Sequence, residues 1–203
     1  MLDKTLPHIG VLMEKADPAH YPAFDLPDGY TFCTYEEGMM DDWIRLQYGV
    51  GKTESQEEAA RIFKQEFMPF PKDLNEKSVF VKDNAETIVA SAMLWNGNHF
   101  GKTLQRLHWL AVADEHQGKG IGRALVARIL ELFQELKYEG PIYLTSQTWS
   151  YPAIAIYLQF GFRPYLGEKP ENWKSVSERF QEENETAWKL IYDQIKTYYH
   201  NKK

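Results

Sequence analysis

The chain has 203 residues, with 23 Lys and Arg against 29 Asp and Glu for a formal charge of −6, 43% hydrophobic and 26% charged residues, and one cysteine. This is the balance of a globular protein long enough to bury a sizeable core. It argues against a nucleic-acid footprint, since no basic block stands out beyond Lys202-Lys203, and no apolar run approaches the ~18 residues of a membrane span. The lone Cys33 excludes an intramolecular disulfide and suits a reducing compartment. The start, Met1 to Pro7, has no sustained apolar stretch, and the expected location is the cytoplasm.

Residues 1–28 carry Pro7, Pro18, Pro22 and Pro27, which favours an extended N-terminal arm wrapping the body. A strand is expected over 29–36, where Tyr30 to Tyr35 alternate. Two helices should follow, Met39 to Tyr48 and Ser55 to Phe67. In the second, Ala59, Ile62, Phe63 and Phe67 recur at helical spacing before Pro69 ends it. Three strands come next: Ser78 to Val81, Thr87 to Trp95 and Leu104 to Ala113, with Asp83-Asn84 and Asn96-Gly97-Asn98 as turns. Arg123 to Lys137 reads as an amphipathic helix closed by Gly140-Pro141. A buried strand, Ile142 to Thr145, and a helix, Ala153 to Phe160, follow. Beyond Pro164, the apolar positions Trp173, Val176, Phe180, Trp188, Ile191, Ile195 and Tyr198 recur at helical spacing and predict a C-terminal extension of one or two helices. It packs on the body or, if the body leaves it bare, on a second copy in a homodimer.

The segment His116-Gln-Gly-Lys-Gly-Ile-Gly-Arg123 sets glycines at 118, 120 and 122 before a helix, where glycine costs stability. A Rossmann fingerprint fails by counting, because the third glycine position is Arg123. Walker A fails too: Gly51-Lys52-Thr53 and Gly101-Lys102-Thr103 have Leu46 and Asn96 where the loop needs glycine. Both read as ordinary turns, which sets aside a nucleotide-dependent kinase. What remains is the anion site that a helix N-terminus offers. Absent Cβ atoms would let a diphosphate reach the amides, with Lys119 and Arg123 adding positive charge. A tight packing turn explains the same glycines.

At these residues the chain resembles the GNAT superfamily of acetyl-CoA-dependent N-acyltransferases. The resemblance rests on Leu110-Ala111-Val112, then Gln117-x-x-Gly120-x-Gly122, an apolar helix, a buried strand, and Ala153-Ile154-Ala155-Ile156-Tyr157-Leu158-Gln159-Phe160-Gly161-Phe162. It spans about 104 to 164. It implies a single α/β domain over 29–165, with a mixed, mostly antiparallel twisted sheet and helices on both faces; the C-terminal extension read from helical spacing then covers 166–203. The sheet should be splayed beside the strand that feeds the glycine loop. The resemblance also implies that the amides of Gln117, Gly118, Lys119, Gly120, Ile121, Gly122 and Arg123 hold the coenzyme A pyrophosphate. The backbone of Leu110, Ala111 and Val112 would pair with the pantetheine amides. Tyr157 would protonate the leaving thiolate, unless it is a core tyrosine. Ser150 stands where relatives often carry Asn, so a side-chain amide contact to the coenzyme is in doubt, although its hydroxyl suits a helix cap.

Direct acetyl transfer to an amine needs a base, because alkyl amines are protonated at neutral pH. His108, in a Leu-His-x-Leu-Ala-Val setting that resembles the arylalkylamine acetyltransferases, is the first candidate for deprotonating the acceptor. Half-buried packing is its other reading. Glu36 and Glu37 are alternative bases, and His116 reads as surface beside the glycines. Trp43, Trp95, Trp109 and Phe100 would line an acceptor pocket if they are not core. The expected acceptor is a small-molecule amine or peptide amine, with acetyl-CoA as cosubstrate and no metal, nucleic acid or membrane. A GNAT-shaped acyl-CoA sensor without catalysis is the alternative.

Overall fold

The computed structural model describes residues 2–173 and 179–200. In chain order, the described elements are β1 (Gly10–Lys15), β2 (Tyr30–Cys33), α1 (Met40–Gly49), α2 (Gln56–Glu66), α3 (Pro71–Lys77), β3 (Ser78–Asp83), β4 (Ile88–Gly97), β5 (Leu104–Val112), α4 (Ile121–Glu135), β6 (Ile142–Gln147), α5 (Tyr151–Gln159), β7 (Arg163–Pro164) and α6 (Phe180–His200). They form one seven-stranded sheet in the order β2-β3-β4-β5-β6-β1-β7.

The sheet consists of two antiparallel parts. β2 through β5 form the first, and β6, β1 and β7 the second. The parallel β5–β6 seam between them has a single register pair, Arg106↔Tyr143. Beyond that pair the two strands separate, which is the splay expected beside the glycine loop. One face of the sheet is covered by α4, α5 and α6 around Leu125, Ile129, Phe133, Ile154 and Trp188. On the other face, α1, α2 and α3 bury Trp43, Phe63, Phe67 and Leu74.

The N-terminal arm reading needs a correction. Residues 10–15 are a strand flanked on both sides, pairing with β6 from Gly10↔Gln147 to Lys15↔Ile142 and with β7 at Met13↔Pro164. Val11, Leu12 and Met13 are each at most 1% exposed. An interior strand covered on both faces has no polar alternation, so three apolar residues among prolines gave no period-2 signal. α3 was also unforeseen. Pro69 reads as a stop after α2, yet two residues on Pro71 opens the next helix, at the position where a missing N–H costs nothing.

The C-terminal stripe finds its burial within the chain. Phe180, Ala187, Trp188 and Ile191 are at most 5% exposed, and Ile195 packs on the same core as α4 and α5. The bare face that motivated a homodimer is therefore covered. Trp173 stacks edge-on against Phe180, and Val176 lies outside the described residues.

Candidate functional site

The site begins with a defect in the sheet. Ser91 pairs with Ala111 and Met93 with His108, so Ala92 faces both Trp109 and Leu110. This is a β-bulge, and Trp109 bears its strain at φ +49°. The bulge turns two carbonyls out of the ladder toward α1. The buried Gln47 side-chain amide donates to the Trp109 carbonyl at 3.2 Å, and Lys52 Nζ donates to the Leu110 carbonyl at 2.5 Å. The edge of β5 that faces β6 is left open just past the seam.

A cleft of about 320 Å³ occupies that opening. Leu110, Ala111 and Val112 line it from β5 and Thr145 to Gln147 from β6, with Ser150, Ala153, Ile156 and Tyr157 at the α5 side. Gln117, Gly118, Gly120, Ile121, Gly122 and Arg123 close its other end. Ten of the eleven residues expected to meet a coenzyme thus border one space, together with Tyr157.

Lys119 is the exception. Its Nζ donates to the Tyr30 hydroxyl at 3.1 Å and lies over that ring, away from the cleft. Arg123 borders the cleft with its guanidinium stacked on Phe24. His116 lines the cleft as well, its Nδ1 at 2.8 Å from the Tyr30 hydroxyl.

The glycines divide by cause. Gly118 (φ +76°) and Gly120 (φ +101°) sit in left-handed backbone, and a Cβ at Gly118 would meet open space. A Cβ at Gly122 would come within 3.2 Å of Ile156 Cδ1 and 3.9 Å of Val112 Cγ2, so this glycine serves helix packing. Gly120 is the N-cap of α4, and its carbonyl takes the Arg123 and Ala124 amides. The amides of Gly120, Ile121 and Gly122 have no acceptor within the helix. Ser150 precedes α5 without capping it; its Oγ accepts from Gln147 Nε2 at 3.0 Å.

His108 does not border the cleft. Its Nε2 lies 3.0 Å from Glu66 Oε2 and 3.0 Å from Arg106 Nη2. It can donate to the carboxylate or accept from the guanidinium, but not both at once. Burial pulls its pKa down to about 4, helped by Arg106 and Lys52 and opposed by Glu66. The ring is therefore neutral at physiological pH. Glu66 also accepts from Trp109 Nε1 at 3.1 Å, and Trp109 does line the cleft. Burial raises the Tyr157 hydroxyl pKa, keeping it protonated.

Glu36 and Glu37 are exposed and lie outside the cleft. Trp43 and Trp95 are core, and Phe100 packs against Tyr143 and Tyr165. Of the four aromatics considered for an acceptor pocket, only Trp109 borders the cleft.

Two functional candidates escaped the sequence reading. Lys52, read as part of a turn, reaches into the cleft, and Glu66 anchors His108 and Trp109. Both sit over 40 residues from their partners, so no local spacing announces them.

The sequence model of the Acetyltransferase (GNAT) family matches residues 23–162. A stretch of 84 residues, 41% of the chain, is 36% identical to N-acetyltransferase 8B of Rattus norvegicus and covers 37% of that protein. A GCN5-related N-acetyltransferase from Sphaerobacter thermophilus superposes with a TM-score of 0.59 over 78% of this chain and 49% of that one, at 16% identity. A tandem GNAT protein from the clavulanic acid biosynthesis pathway gives 0.56 over 78% and 50%, at 19% identity. The chain spans about half the length of these two solved structures, and at such identities they speak to the fold.

Proposed function

The chain belongs to the GNAT acetyltransferase family, and on that premise we propose that it moves the acetyl group of acetyl-CoA to a primary amine by direct transfer in a ternary complex. The observation that carries this reading is the single cleft in which the open β5 edge, the α4 amides and Tyr157 converge. The residues suit a coenzyme: left-handed glycines with open space above Gly118 admit a diphosphate to the amides. An unpaired strand edge offers main-chain partners for an extended amide chain. When bound, acetyl-CoA supplies an acyl group activated as a thioester.

The chain's own groups then have distinct tasks. Within Gln117 to Arg123, the amides of Gly118 to Gly122 bind the pyrophosphate, since those of Gln117 and Arg123 already donate to the Asp114 and Gly120 carbonyls, and Arg123 adds charge. Leu110, Ala111 and Val112 align the pantetheine, and main-chain N–H groups of the bulge polarise the thioester carbonyl. Tyr157, protonated at every physiological pH, donates to the leaving thiolate. His108, one residue behind the cleft wall and paired with Glu66, takes the acceptor's proton through water as the nitrogen attacks and that proton turns acidic, since a group that titrates at about 4 does not deprotonate a resting ammonium. The acceptor class is a small-molecule or peptide amine.

Calorimetry with acetyl-CoA, followed by free-thiol release over a panel of amines, tests the reading. Binding of acetyl-CoA and amine-dependent thiol release are expected. In Tyr157→Phe, binding should hold while turnover falls about tenfold or more. Binding with no turnover on any amine would favour an acyl-CoA sensor, and unchanged turnover in Tyr157→Phe would return that residue to the core.

A further inference from the structure

Lys52 has no task in the mechanism above, yet it is placed in the same cleft. The turn after α1 aims it: the Lys52 amide bonds the Gln47 carbonyl at 3.0 Å, and Gly51 reverses the chain at φ +74°. The side chain then runs beside Trp109, with Nζ 5.6 Å from the ring centroid, and ends on the Leu110 carbonyl. Leu110 is the first of the β5 residues assigned to align the acyl donor. Among the described residues, no carboxylate forms an ion pair with Lys52. A lysine held in a cleft by a carbonyl, with no anion to fix its charge, can give up its proton and act as a nucleophile.

We propose that Lys52 is a self-acetylation site, accepting an acetyl group from acetyl-CoA bound in its own cleft when no amine acceptor is present. This inference rests on the acetyl-CoA reading above. The neutral Nζ attacks the thioester carbonyl carbon; a C–N bond forms and the C–S bond breaks. Nζ gives up one proton and the departing thiolate takes up one, leaving Nε-acetyl-lysine and the free coenzyme thiol. Burial supplies the neutral amine, drawing the pKa of Lys52 down to about 8. An exposed lysine near 10.4 is almost wholly protonated at that pH. The acetylated side chain has lost its charge and places a methyl group in the cleft.

The experiment incubates the full chain with acetyl-CoA and no amine, and follows acetylation of each lysine by peptide mass mapping. A second arm labels the protein with acetyl N-hydroxysuccinimide, which needs no binding site, with and without saturating coenzyme A. Lys52 should acquire acetyl from acetyl-CoA at least about tenfold faster than the exposed Lys64 and Lys72. The rate should saturate with acetyl-CoA and rise with pH through about 8. In the second arm, coenzyme A should shield Lys52 while leaving Lys64 and Lys72 labelled. Acetyl-CoA binding by calorimetry with Lys52 unmodified, or modified no faster than those two lysines, overturns the proposal alone. So does labelling of Lys52 that coenzyme A does not shield. Failure of acetyl-CoA to bind overturns both the proposal and the reading beneath it.

Discussion

At the scale of single residues, His108 shows how far a side chain's surroundings override its ordinary chemistry. In water it would titrate near 6.5; between Phe67, Arg106 and Glu66 it titrates at about 4. Because the folded pKa lies below the unfolded one, the unfolded chain binds more protons between these values. The stabilisation is complete above pH 6.5 and is lost as pH falls toward 4, for a total of about 3 kcal/mol. Urea unfolding should therefore show the parent losing about 2 kcal/mol between pH 7 and pH 5 from this group, a loss that His108→Gln should abolish. Equal losses in parent and variant would place the titration elsewhere. The pairing of His108 with Glu66 was not legible in the sequence, because it joins the end of α2 to the middle of β5. The cleft residues were legible for the opposite reason. Gln117 to Arg123 and Leu110 to Val112 are contiguous, and their function is carried by backbone, which short motifs encode well.

At the scale of elements, β3, β4, β5, α4, β6 and α5 were readable from periodicity and from glycine and proline punctuation, with no end shifted by more than two residues. β1 was not. Its three buried residues are too few to establish a period, and its partners lie more than 120 residues away. Met13 is fully buried between the strands β6 and β7, so Met13→Ala should cost about 2–5 kcal/mol. Denaturant unfolding measures this directly, and a cost below about 1 kcal/mol would mean that β1 is not held in the sheet as described. The bulge in β5 was equally hidden. Nothing in Leu107 to Val112 marks Trp109 for positive φ, and the carbonyls it frees are satisfied by Gln47 and Lys52 from a different part of the chain.

At the scale of the whole molecule, the C-terminal helix closes the body rather than reaching for a neighbour. Trp188 and Ile191 join the core shared with α4 and α5, and among the described residues the exposed large hydrophobic side chains, Tyr48, Met68, Phe70, Leu166 and Tyr192, include no described member of that stripe. If no second copy covers α6, the thermal midpoint should be independent of protein concentration from about one to tens of micromolar. A midpoint that climbs with concentration would show coupled association. The sequence reading got the stripe right and left its destination open, because periodicity records that a face is apolar and not what lies against it.

The position of β1 also sets an order of events during synthesis. Its two neighbours, β6 and β7, are made last among the strands, so Val11, Leu12 and Met13 leave the ribosome with nothing to pair with. At about 5–20 residues per second, the roughly 150 residues to β7 take on the order of ten to thirty seconds. Through that interval the β2–β5 part of the sheet can assemble, while three water-averse residues trail from it unsatisfied. The strand that locks the finished fold is thus, for the nascent chain, the apolar segment left longest without its partners.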